Sequence, residues 1–158
     1  MIFVECKPDL LLVQKITGIP KKEILHSGNK GEVIKNLSRS KNSIGLIDED
    51  PGDSQPKYIV SMSLVKDDRS SDLKIYRDNK NNFLVVICPV LEEWILKTAR
   101  LGKIKMADYN LPENASRFHK TINLNLRKFE MLLEILLNSQ RITALKSVLS
   151  TKNRPLSY

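Results

Sequence analysis

Glu5 directly follows the short apolar run Ile2-Phe3-Val4, and Asp48-Glu49-Asp50 directly follows Ser43-Ile44-Gly45-Leu46-Ile47. Carboxylates are the oxygen donors that a hard divalent cation such as Mg²⁺ or Mn²⁺ takes from a protein, usually one or two at a time, with waters and phosphate oxygens in the remaining positions. In Asp48-Glu49-Asp50 the first and third side chains point the same way as long as the loop stays extended, which directs Glu49 elsewhere. Glu5, Asp48 and Asp50 gathered on one cation would suit phosphodiester hydrolysis, in which the metal turns a water into a nucleophile. An Asp-x-Asp is also ordinary turn composition, so spacing alone leaves the metal site and the solvated turn both open.

Two further acidic positions lie near apolar runs. Asp9 falls four residues after Glu5, in the first turn of a predicted helix, where a carboxylate also suits the cap and the helix dipole. Glu92 and Glu93, in Cys88-Pro89-Val90-Leu91-Glu92-Glu93-Trp94, occupy the equivalent place beyond a later strand. They can complete a second metal site or serve the dipole alone. Ser27-Gly28-Asn29-Lys30-Gly31 offers a phosphate three things: backbone approach at glycine, free N–H groups at the following helix start, and the Lys30 charge. Ser27, Gly28 and Lys30 are the candidate phosphate contacts, with an ordinary strand-to-helix turn as the alternative. The longer Gly-Lys-Ser/Thr pattern of a P-loop is absent, which argues against ATP binding. His26 and His119 are lone histidines with no metal spacing, and they read as structural or surface residues.

The elements that must position these groups follow from periodicity. A strand ends at Glu5, and a helix starting near Pro8 runs through Leu10, Leu11, Leu12, Val13 and Ile16 to Gly18. A second strand over residues 22–26 leads through the glycine loop into one or two helical turns at 32–37. The run ending at Ile47 is uninterrupted by polar residues, as befits a strand covered on both faces. Residues 56–65 are ambiguous between helix and strand, 66–72 resemble a flexible insertion, and 73–76 and 83–88 read as strands around an Asn-rich turn. A helix follows over 91–101, then a polar connection at 108–117, one helix over 122–137, a shorter one at 142–149 and a polar tail from 152. Strands alternating with helices predict an α/β fold with a mostly parallel central sheet and a C-terminal helical extension, divided as residues 1–115 and 116–158. Ligands of such sheets bind beyond the carboxyl ends of the strands, which places Glu5, the glycine loop and Asp48 to Asp50 on one rim.

The 158 residues suffice for one compact domain, and 41% hydrophobic with 28% charged residues excludes a disordered or fibrous chain. With 26 Lys and Arg against 18 Asp and Glu, the net charge of +8 favours a polyanionic partner such as DNA or RNA. No apolar run is long enough to span a membrane and no secretory signal opens the chain, so the expected compartment is the cytoplasm. Cys6 and Cys88 are too far apart in sequence for a zinc pattern and are expected as buried free thiols.

The order Phe3-Val4-Glu5, helix, second strand with a glycine loop, then Ile44-Gly45-Leu46-Ile47-Asp48-Glu49-Asp50 resembles the TOPRIM domain of topoisomerases, bacterial primases, small ribonucleases and overcoming-lysogenization-defect (OLD) nucleases. The resemblance covers roughly the first half of the chain and departs from the family at Cys6, where glycine is usual. It implies a TOPRIM-like fold and Mg²⁺- or Mn²⁺-dependent phosphoryl transfer, with the acidic set holding metal and Glu5 serving in proton transfer. The OLD-type branch is similar in placing a second acidic residue at the position of Asp9. By the same resemblance, a separate ATPase partner and a role in phage defence are implied. A non-catalytic module that binds nucleic acid or a partner protein is the competing reading.

Overall fold

The computed structural model describes residues 1–150; the predicted polar tail from residue 152 lies outside them. Six strands form one sheet in the order β2-β1-β3-β6-β5-β4: β1 (Ile2–Val4), β2 (Ile24–His26), β3 (Ile44–Asp48), β4 (Ser63–Asp68), β5 (Leu73–Arg77) and β6 (Phe83–Ile87). The pairs β1 with β2, β1 with β3 and β3 with β6 are parallel, and β5 is antiparallel to both β6 and β4. The described residues hold seven α-helices: α1 (Lys7–Thr17), α2 (Lys30–Arg39), α3 (Lys57–Ser61), α4 (Leu91–Leu101), α5 (Ala115–Leu124), α6 (Leu126–Leu136) and α7 (Gln140–Leu149).

Side chains alternate across a strand, and in the central strands both faces are apolar. Ile2, Val4, Ile44, Leu46, Val85 and Ile87 face a core completed by α1, α4 and the C-terminal helices. Phe3, Ile47, Leu84 and Val86 face a smaller core under α2 and α3. Gly45 is what lets α2 sit close: a Cβ there would lie 3.0 Å from Leu84 Cδ1 and 3.2 Å from both Leu37 Cδ2 and Val33 Cγ1. The chain steps from β1 to β2 on one side and then back across to β3 on the other, so the topological switch falls between β1 and β3, where crevices form at the carboxyl ends of such sheets.

The α/β class and the mostly parallel sheet agree with the sequence reading; several boundaries do not. Residues 63–68 form β4, so the first three residues of the expected flexible insertion belong to an ordered edge strand paired to β5, and residues 69–72 are the turn between the two strands. The single helix expected over 122–137 is two helices, because Asn125 ends α5 and its side chain accepts the Lys128 N–H as the cap of α6. The second helix is longer than one or two turns, starting at Lys30 after an Asn29 cap that accepts the Glu32 N–H. Cys6 and Cys88 are free, but both are half-buried rather than buried. Among the described residues no helix is long and apolar enough to cross a membrane.

Candidate functional site

The register that sets Val4 opposite Leu46 carries Glu5 to the end of β3, where its Oε1 accepts the Asp48 N–H at 2.9 Å. Asp48 in turn reaches across to α4, its Oδ1 accepting the Leu91 N–H at 3.0 Å. The buried Asp9 closes the group from α1, its Oδ2 accepting both the Cys6 N–H at 3.0 Å and the Cys6 thiol at 3.1 Å. Asp9 is thus a helix-capping carboxylate, as its position allows, and it also faces the strand-end acids.

Three carboxyls withdrawn from water beside one another hold their protons more tightly than usual. Burial, then the charges of Asp9 and Glu5, push Asp48 up to about 8. Burial is likewise the largest cause at Glu5, raised to about 7 against the opposing Asp48 N–H bond, and at Asp9, raised to about 6 against the bonds from Cys6. Burial and the adjacent Asp9 charge also raise the Cys6 thiol well above its ordinary range, so it acts as a hydrogen donor and not as a thiolate. Such a set answers to a cation or to protons, and its reacting atoms are all carboxylate oxygens, the donor chemistry of a hard divalent metal.

The remaining candidates divide. Asp50 does not continue the extended backbone expected of it: its φ is +48°, left-handed, and its Oδ2 pairs with Lys30 Nζ at 2.8 Å. Lys30 Nζ also donates to the Glu49 carbonyl at 3.0 Å, so Lys30 is spent on the Asp-x-Asp loop. Ser27 and Gly28 extend the β2 end toward β1, donating their N–H groups to the Val4 and Glu5 carbonyls, with Gly28 at a φ of +100° that favours glycine. The Ser27 hydroxyl accepts from Asn36. Glu49, directed away as expected, pairs with Lys74 and accepts from the Cys88 thiol. Glu92 lies close enough for its charge to raise both Asp9 and Asp48. Glu93 is exposed and lines a separate cleft on the outer side of α4. As the side chains stand, no group of three or more His, Cys, Asp and Glu among the described residues is arranged to hold a metal ion, because Glu5, Asp9 and Asp50 are each turned to a donor of the protein itself.

His119 is a residue whose setting the sequence conceals. Its Nδ1 lies 2.6 Å from Glu92 Oε1, placing an exposed imidazole next to the acidic group from α5. Nothing in the local sequence links positions 92 and 119; the pairing exists only because α5 packs on α4. No family model, curated protein or solved structure matches the chain.

Proposed function

We propose that this chain is a TOPRIM-like, divalent-cation-dependent nuclease that hydrolyses phosphodiesters of DNA or RNA. The observation that carries the reading is the juxtaposition of Glu5 and Asp48 at neighbouring parallel strand ends, at the switch point of the sheet, with Asp9 behind them. Glu5, Asp48 and Asp50 are the residues that would hold Mg²⁺ or Mn²⁺, which requires Asp50 to turn from Lys30, and Asp9 and Glu92 are the candidates for a second ion. A bound cation would supply charge for the phosphate oxygens and acidify a water. The protein's own contributions are distinct. Glu5, at about 7, is poised to take or give a proton near neutrality. Asp9 fixes the turn between β1 and α1, and the Leu91 N–H fixes the Asp48 carboxylate. The net charge of +8 supplies attraction for a phosphate backbone. A separate ATPase chain as partner belongs to the same proposal.

One observation favours a second reading. The Lys30 ammonium sits on Asp50, so the loop carries an internal counter-charge, as a non-catalytic binding module would. Glu5→Gln separates the two, since it keeps shape and removes charge. Nucleic-acid binding is expected to survive while Mg²⁺- or Mn²⁺-supported cleavage falls by orders of magnitude. Cleavage unchanged by Glu5→Gln would overturn the nuclease mechanism, and a wild type that binds without cleaving any single- or double-stranded DNA or RNA would favour the module.

A further inference from the structure

A cleft of about 940 Å³ opens beside the acidic group, between the end of β6, the outer face of α4 and the start of α5. Glu49 and Pro89 join the two places. Both line the cleft, while the Pro89 carbonyl accepts the Asp50 N–H at 3.0 Å and Glu49 stands between Asp48 and Asp50 in the chain. Its wall is largely apolar, with half-buried Pro89, Leu96, Ile104 and Ala115 over the buried Met106 and Trp94.

The polar groups at its mouth are not balanced against one another. Lys97 is paired with Asp72, and Glu49 with Lys74. Arg100, Lys103 and Lys105 line the same cleft, are exposed, and have no ion pair among the described residues; the acids left facing them are Glu93 and Glu113. The cations cluster on the last turn of α4 and the segment after it, and the acids belong to the first turn of α4 and the residues just before α5. An apolar slot with cations along one lip matches a ligand with a flat aromatic face and phosphate attached. We propose that this cleft binds one nucleotide unit of a nucleic-acid strand, its base against Pro89, Leu96 and Ile104 and its phosphates on Arg100, Lys103 and Lys105. The inference deepens the nuclease reading and rests on it for the identity of the ligand: a strand seated here runs toward Asp48.

The test is binding in EDTA of a short fluorescently labelled single-stranded oligonucleotide, which makes no use of the acidic group. Wild type should bind with steep salt dependence. The Arg100→Ala, Lys103→Ala, Lys105→Ala variant should lose at least about tenfold in affinity and flatten the log–log salt slope by about 2, from three phosphate contacts at ~0.7 each. Ala115→Trp, which fills the slot without changing charge, should weaken binding as well. A control, Lys21→Ala, Lys22→Ala, Lys41→Ala, removes the same charge far from the cleft and should cost less than about threefold. Circular dichroism checks that each variant is folded. A 5′-mononucleotide that competes as strongly as the strand identifies a free nucleotide as the source of the same chemistry; weak competition identifies a strand.

Equal losses in the two triple variants would overturn the cleft, as would full affinity in Ala115→Trp or no binding by wild type. Cleavage measured in parallel keeps the two proposals apart. If Asp48→Asn abolishes cleavage while the cleft variants bind and cleave normally, the cleft fails and the nuclease stands. If only the cleft variants lose binding and Asp48→Asn changes nothing, the nuclease fails and the cleft stands.

Discussion

Without a divalent cation, the stability of this protein should fall as pH rises from 5 to 8, the reverse of what its ordinary carboxylates would produce. Asp48 releases its proton near 3.8 in the unfolded chain and near about 8 in the folded one. Between those values the folded state binds more protons than the unfolded state, so the stabilisation is fully present below the unfolded value and is lost as pH climbs through the folded one. With one proton of difference the slope is ~1.4 kcal/mol per pH unit, or about 3 kcal/mol between pH 5 and 7. For a chain of this size that is roughly 6–12 °C in Tm. Glu5 and Asp9, raised to about 7 and about 6, act in the same direction, and because the three repel one another their contributions fall short of a simple sum. Asp68, lowered to about 2 by Ser70 and Ser71, works in the opposite sense but only below about pH 4, outside this window.

Thermal melts in EDTA at half-unit pH intervals measure this directly. Asp48→Asn keeps an oxygen to accept the Leu91 N–H and removes the titration, so its Tm should depend less on pH and exceed that of wild type at pH 8. Adding Mg²⁺ or Mn²⁺ should reverse the wild-type trend, since the metal takes the deprotonated form and its stabilisation grows with pH. A wild-type Tm in EDTA that is flat or rising from pH 5 to 8, or an Asp48→Asn variant with the wild-type slope, would refute the proposed coupling of buried carboxyls.

Gly45→Ala should destabilise by about 1–3 kcal/mol in chemical denaturation, because its Cβ would meet Leu84 and two α2 side chains at 3.0–3.2 Å. Asn82→Leu should cost about 2–4 kcal/mol in the same assay: the fully buried amide accepts the Ser43 N–H and donates to the Leu37 and Ser40 carbonyls, and the substitution would orphan the Ser43 N–H and the Ser40 carbonyl while the Leu37 carbonyl keeps only the Ser40 N–H. Lys30→Gln removes a charge that lowers Glu5, so the acid limb of any metal-supported cleavage profile should move to higher pH, while an unmoved limb would exclude Glu5 as the titrating group.

Strand ends were the readable part of this chain. Unbroken apolar runs at β1, β3 and β6 announce strands buried on both faces, and a polar residue that follows such a run must stand on the rim, as Glu5 and Asp48 do. The edge strand β4 carries no such signal, since its side chains are mostly exposed and only pairing to β5 makes it a strand. The break at Asn125 is hidden for a related reason. The apolar positions of α5 and α6 continue one another in sequence, and the amide cap that separates them weighs little in a periodicity spanning both sides.

The site shows the same division between local and non-local causes. Carboxylates after strands are visible in sequence because the element and the acid are neighbours. Which side chain answers each carboxylate is settled by how the helices and strands pack together, and it differs from one acid to the next. α2 delivers Lys30 to Asp50, β5 delivers Lys74 to Glu49, and α5 delivers His119 to Glu92. Among the described residues Glu5, Asp9 and Asp48 have no cationic side chain within salt-bridge distance and are bonded instead to backbone N–H groups and a thiol. Those three are also the acids whose protons are held most tightly, so the charge they lack is the charge that a divalent ion would bring.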